Sequence, residues 1–174
     1  LFCSPHNPVG RVWSFAELSR LCELCTKYNV LIVSDEIHFD LTYSVHTPLL
    51  AFSDLHELLV LLSAPTKTFN IPGLNVSYAV IPSKNNRKKF EYYAKNLHQT
   101  LPNVFGIEAL KAAYFGGDEW LDATKDYLFK NKNLVDIFVE SNDFVSGFSP
   151  EGTYLYWLDF SGVGLTSQKD ISDR

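Results

Sequence analysis

The chain has 174 residues and a mass of 19.8 kDa, room for one ordinary domain or for one domain and part of a second. Its 46% hydrophobic and 20% charged residues exclude a disordered chain, and a net charge of −5 argues against nucleic acid or an acidic lipid surface as partner. The longest apolar run, Leu58–Leu62 extended to Ala64, is far short of the ~20 residues a membrane span needs, and no basic, signal-like segment opens the chain. The sequence contains no Met, opens inside a hydrophobic stretch, and is read as a fragment. Its three cysteines are an odd number, which points to a reducing, cytoplasmic setting rather than a disulfide framework.

In chain order, Ser14-Phe15-Ala16-Glu17 spells a capping box and predicts a helix with Leu18, Leu21, Cys22, Cys25 and Tyr28 on one face, ended by Asn29. Val30-Leu31-Ile32-Val33 then runs apolar without alternation, as a strand covered on both faces does. It leads into Ser34-Asp35-Glu36-Ile37-His38. A second such run, Leu58–Leu62, leads into Ser63-Ala64-Pro65-Thr66-Lys67, and a third spans Val76–Ile81. Helices are expected over about Asn86–Asn96, Val104–Tyr114 and, capped by Asp118, Glu119 to about Val139. Pro150-Glu151-Gly152 is a turn, and Tyr154–Phe160 reads as a strand of a new unit. The fold class is α/β with a mainly parallel sheet, and in such sheets ligands bind beyond the carboxyl ends of the strands.

Three polar clusters carry the candidate chemistry: Asn7-Pro8-Val9-Gly10, Asp35 with its followers, and Lys67. Taken alone, a lysine near an acid reads as a plain ion pair. The wording around each is more specific. Ser-Pro-His-Asn-Pro-Val-Gly-Arg-Val-Trp, then Val-Ser-Asp-Glu-Ile-His, then Ser-Ala-Pro-Thr-Lys-Thr-Phe-Asn-Ile-Pro-Gly-Leu resembles the pyridoxal-phosphate (PLP) enzymes of the class I/II aminotransferase fold. More narrowly it resembles their C–S β-lyases, of the cystathionine β-lyase or cysteine-S-conjugate β-lyase type. The resemblance extends through Pro-Glu-Gly-Thr-Tyr-Leu-Tyr-Trp-Leu-Asp-Phe.

That resemblance implies an aspartate aminotransferase-like large domain over residues 1–120 and, over 121–174, a bridging helix and the start of an α+β small domain. It implies Lys67 as the amine that binds the cofactor and takes the substrate's Cα proton, chemistry that needs a lysine able to lose its own. Asp35 becomes the partner of the pyridine nitrogen, which keeps the ring an electron sink. Asn7 becomes the donor to the phenolic oxygen, in a loop where a cis Asn7–Pro8 bond is expected. His38 stands where aminotransferases of this fold carry Tyr; it is a tuning group beside the cofactor or a histidine packed under the loop. Ser63 and Thr66 are candidates for the phosphate, although Ala64 and Asn75 occupy positions where aminotransferases place a hydroxyl and an arginine. The carboxylate-clamping arginine and the ring-stacking aromatic belong to stretches outside these residues.

Cys22-x-x-Cys25 has no second pair for zinc and falls on an apolar helix face, so core packing is preferred. Asp35-Glu36-x-His38-x-Asp40 diverges along a strand-to-loop transition, so no metal site is expected. Arg87-Lys88-Lys89 reads as a solvated helix face. The expected activity is PLP-dependent β-elimination on a sulfur-containing amino acid by a homodimer. An aminotransferase is the runner-up, and a truncated inactive piece the alternative from another class. Taken by itself the chain is expected to fold poorly, with open sheet edges and uncovered apolar surface.

Overall fold

The computed structural model describes residues 1–99, 101–164 and 169. Its centre is a four-stranded sheet in the order β1 (Phe2–Cys3), β2 (Ile32–Asp35), β3 (Leu59–Ser63) and β4 (Tyr78–Val80). The first three strands are parallel and β4 is antiparallel to β3. The register aligns Cys3 with Asp35 and Asp35 with Leu62, so three polar loops leave the sheet at one edge. Ladder-like bonds continue past the strands, from Ser4 N–H to Asp35 O (3.0 Å) and from Glu36 N–H to Leu62 O (2.9 Å).

Helix α1 (Phe15–Tyr28) begins as its sequence dictates. Ser14 Oγ accepts from Glu17 N–H while the Glu17 carboxylate accepts from Ser14 N–H at 3.0 Å, and Arg11 pairs with the same carboxylate. Asn29 closes the helix in the left-handed region, at φ 53°. Leu18, Cys22 and Cys25 bury themselves against Ile32, Leu49, Leu55 and Leu59, whereas Tyr28 stays exposed beyond the packed part of the stripe. Both thiols are pushed up in pKa by burial, Cys22 to about 11, which suits packing and not redox or metal chemistry. All three cysteines are free, and no His, Cys, Asp or Glu cluster among the described residues could hold a metal.

Beyond the sheet lie the single-turn α2 (Pro65–Thr68), then α3 (Lys84–Asn96), α4 (Val104–Gly116) and α5 (Asp118–Glu140). Asp118 is the first residue of α5 rather than its cap; Gly117 takes that position because a Cβ there would lie 2.4 Å from Ala113 O and from the Phe69 ring. A second sheet pairs β5 (Ser146–Phe148) with β6 (Trp157–Asp159) in antiparallel fashion. The strand expected over Tyr154–Phe160 is therefore shorter, because Thr153 and Tyr154 are held against the loop after β2 instead. Val30 and Leu31 precede β2 and are about half exposed, so the expected strand starts two residues late. No helix of the described residues is long and apolar enough to cross a membrane.

Helices α3 and α5 bury no residue and α4 buries only Gly106, leaving Phe105 and Phe115 exposed. The apolar core is thus concentrated between α1 and the sheet. In the full-length protein, Leu59→Ala is expected to cost about 2–5 kcal/mol, since Leu59 is fully buried. Ser14→Ala should cost about 1 kcal/mol through loss of the cap. Urea denaturation of the two variants checks the order.

Candidate active site

The site grows from the three strand ends. β1 runs into a turn closed by Gly10 N–H on His6 O (2.6 Å) and His6 N–H on Arg11 O (2.8 Å), and this turn presents Asn7. The Asn7–Pro8 bond is cis, as the family resemblance implied, and Ser4–Pro5 is cis as well. Gly10 is required here twice over: its φ is +76°, and a Cβ would lie 2.5 Å from the Pro150 side chain.

β2 delivers two neighbouring carboxylates to opposite sides, as alternation along a strand requires. Glu36 turns inward and is 2% exposed; its carboxylate accepts from Ser34 Oγ (2.9 Å), Leu49 N–H (3.1 Å) and His46 Nε2 (3.0 Å). Asp35 turns the other way. One of its oxygens accepts from Ile37 N–H at 3.2 Å, and the residue lines a cleft of about 490 Å³ with Ser63, Ala64, Asn75, Ser77 and Tyr78. At this strand end Asp35 is therefore the carboxylate that faces a cleft, while Glu36 is consumed by the fold.

β3 leads into α2, which carries Lys67. Lys67 opens onto a separate cavity of about 340 Å³ walled by Leu41, Trp120, Thr124, Leu128 and Tyr154. The link between the two carriers is His38, 1% exposed, whose ring feels both the Lys67 ammonium and the Asp35 carboxylate. Asn7 Nδ2 lies 3.3 Å from His38 Nε2; an amide N–H can only donate, so this nitrogen accepts and Nδ1 carries the ring proton. Among the described residues Nδ1 is buried without a hydrogen-bond partner. Burial, reinforced by Lys67 and opposed by Asp35, lowers its pKa and keeps the ring neutral.

The phosphate candidates fare unequally. Ser63 Oγ donates to Glu36 O at 3.3 Å, so its single hydroxyl hydrogen is already committed. Thr66 is buried in α2, and its hydroxyl makes no hydrogen bond among the described residues. Asn75, at the position where an arginine would stand, adopts φ 48° and lines the Asp35 cleft.

Sequence reasoning missed the segment after Pro150. Glu151 O accepts from Tyr43 N–H, its carboxylate accepts from Val12 N–H (2.7 Å), and the amides of Glu151 and Gly152 both donate to Gly10 O. Thr153 N–H donates to Leu41 O at 2.7 Å, and the Tyr154 ring meets the His38 ring edge-on at 5.5 Å. Pro-Glu-Gly marks a turn in the sequence, but nothing local reveals a partner some 140 residues upstream.

The aminotransferase class I and II family model matches residues 1–172, and the chain belongs to that family. Among its relatives, cystathionine beta-lyase PatB of Bacillus subtilis (strain 168) is 41% identical over 178 residues, covering 100% of this chain and 46% of that protein. Among solved structures, cystalysin from Treponema denticola, which contains a pyridoxal 5′-phosphate cofactor, superposes with a TM-score of 0.93 at 34% identity, over 99% of this chain and 44% of its own. The PLP-bound C–S lyase from Staphylococcus hominis gives 0.87 at 31% identity, over 95% and 43%. The chain thus spans less than half the length of these relatives.

The depressed His38 pKa has a sign that can be tested. Between the folded value and the ordinary value near 6.5, the unfolded chain binds the extra proton, so stability rises with pH through that window and is lost as pH falls through the folded value. In the full-length protein, His38→Gln is expected to flatten that part of the stability–pH curve. Melting temperatures between pH 5 and 8 check it.

Proposed function

We propose that this chain is the central part of a PLP-dependent C–S β-lyase that cleaves sulfur-containing amino acids such as cystathionine or cysteine S-conjugates. The observation that carries this reading is the convergence of three motif loops at the carboxyl ends of three adjacent parallel strands, with Lys67 and Asp35 both acting on the buried His38 ring. The resemblance to cystathionine β-lyase PatB and to cystalysin over nearly the whole chain supports it.

The residues present fit the cofactor. A carboxylate at one cleft, an amine at a second cavity and an amide on a tight turn match the ring nitrogen, the aldehyde and the phenolic oxygen, and among the described residues His38 Nδ1–H is a buried donor without an acceptor. In this reading Lys67 Nζ holds the cofactor and then takes the Cα proton of the bound amino acid. Asp35 pairs with the protonated ring nitrogen. Asn7 donates to the phenolic oxygen, and neutral His38 fixes the Asn7 amide. Thr66 is the better hydroxyl for the phosphate, and Ser63 contributes its place in the turn rather than its hydrogen. When bound, PLP supplies the electron sink that makes the Cα proton removable. Loss of that proton drives the thiolate from Cβ. The unsaturated amine left behind takes up water to give pyruvate and ammonia, so cystathionine yields homocysteine.

The domain reading accompanies this: residues 1–120 as the second half of the large cofactor-binding domain, residues 121–174 as bridging helix and start of the small domain. The exposed apolar side chains of α4 and α5 support cover by the remainder of the chain and by a second copy in a homodimer. The three unpaired thiols suit a cytoplasmic setting.

An aminotransferase is the second reading, because both reactions use the same lysine and aspartate. Borohydride reduction of the PLP-saturated full-length protein, followed by peptide mass mapping, should place a phosphopyridoxyl group on Lys67, and Lys67→Ala should abolish it. Incubation with cystathionine should release thiol and pyruvate without an added oxo acid. Oxo-acid dependence with no thiol release would instead establish a transaminase.

A further inference from the structure

Helix α2 is a single turn of four residues with no side-chain cap at Ala64. Such a turn has no stability of its own and takes its position from tertiary contacts. Among the described residues, the side-chain hydrogen bond that ties it to the rest of the site runs from Thr68 Oγ1 to Asp40 Oδ2, at 2.9 Å. Thr68 is 1% exposed and directly follows Lys67. Asp40 stands on the loop that follows Asp35 at the end of β2 and also carries His38, and this loop is itself stitched by Phe39 N–H to Glu36 O and Leu41 N–H to His38 O. The bond therefore joins the carrier of the amine to the carrier of the carboxylate.

Resting on the reading of Lys67 as the cofactor-binding amine, we infer that Asp40 and Thr68 are positioning residues that set Lys67 against Asp35 and His38. The carboxylate accepts from a hydroxyl one residue past the amine, so losing the bond loosens the turn that carries Lys67, which packing of its buried residues still holds in place. Burial of Asp40 raises its carboxyl pKa and the Thr68 hydrogen bond works against that rise, as expected of a contact that favours the ionised form. A misplacement on the ångström scale is enough to cost roughly ten- to a hundredfold in rate.

The experiment uses the full-length holoenzyme and three variants: Thr68→Val, Thr68→Ser and the double variant Asp40→Leu/Thr68→Val. The double variant removes both partners, so no half-buried carboxylate is left without its hydroxyl donor. Three quantities are read: kcat and KM on cystathionine, melting temperature, and the rate at which the apo-protein captures PLP covalently at Lys67. Thr68→Val is expected to lower kcat roughly ten- to a hundredfold with little change in KM, and to slow capture. Thr68→Ser should restore most of both. The double variant should recover melting temperature without recovering rate or capture. Rate and capture that return together with melting temperature in the double variant would overturn the inference, because the bond would then serve stability alone. Parental rate and capture in Thr68→Val, whatever its melting temperature, would overturn it as well. A parent enzyme that forms no adduct at Lys67 would overturn the functional reading itself, and this inference with it; an adduct in the parent confines a negative result to Asp40 and Thr68.

Discussion

Parallel pairing of β1, β2 and β3 in a single register is the constraint on which the rest of the structure depends. Because Cys3, Asp35 and Leu62 stand side by side, the segments that follow them emerge together, and residues tens of positions apart in sequence meet at one edge. Slipping one strand by a residue would turn Asp35 toward the buried side and Glu36 toward the cleft. The register is held by burial of Ile32, Leu59 and their neighbours against α1, so the most distant part of the core secures the position of the polar groups.

The loop after β2 is where that positional accuracy is used. Glu36 is tied by three donors and pins the loop to Leu49 and His46. Ser63 closes it from the β3 side through Glu36 O. What remains of the loop, Asp35, His38 and Asp40, is then free to face the cleft, the Asn7 turn and α2 respectively. A buried acid tied into the fold thus leaves the adjacent acid facing the cleft. The turn at Pro150–Gly152 braces the same arrangement from outside, by gripping Gly10 and Leu41 with backbone bonds.

Much of this was legible in the sequence. The capping box at Ser14, the two buried parallel strands and the motif words around Asn7, Asp35 and Lys67 follow local rules, and local rules depend only on neighbours in the chain. The misreadings have a common cause in tertiary pairing. Val30 and Leu31 are as apolar as Ile32, but β3 begins to pair only at Ile32. Tyr154 has strand propensity, but Thr153 beside it bonds to Leu41 and holds the segment off the second sheet. The antiparallel direction of β4 is set by how the chain returns after α2, which no periodicity encodes.

The sequence by itself determined the fold class, because hydrophobic period and capping are properties of consecutive residues, and its motif words carried the resemblance that named the family and the candidate residues. Only the tertiary structure distinguished the surroundings of candidates that look alike in sequence. Among the described residues it separated Asp35 from Glu36 by the face each takes, committed the Ser63 hydroxyl while leaving that of Thr66 without a partner, and gave His38 an acceptor nitrogen toward Asn7 and an unmatched donor. Those distinctions rest on hydrogen bonds between segments far apart in the chain, and such bonds exist only once the strands have paired.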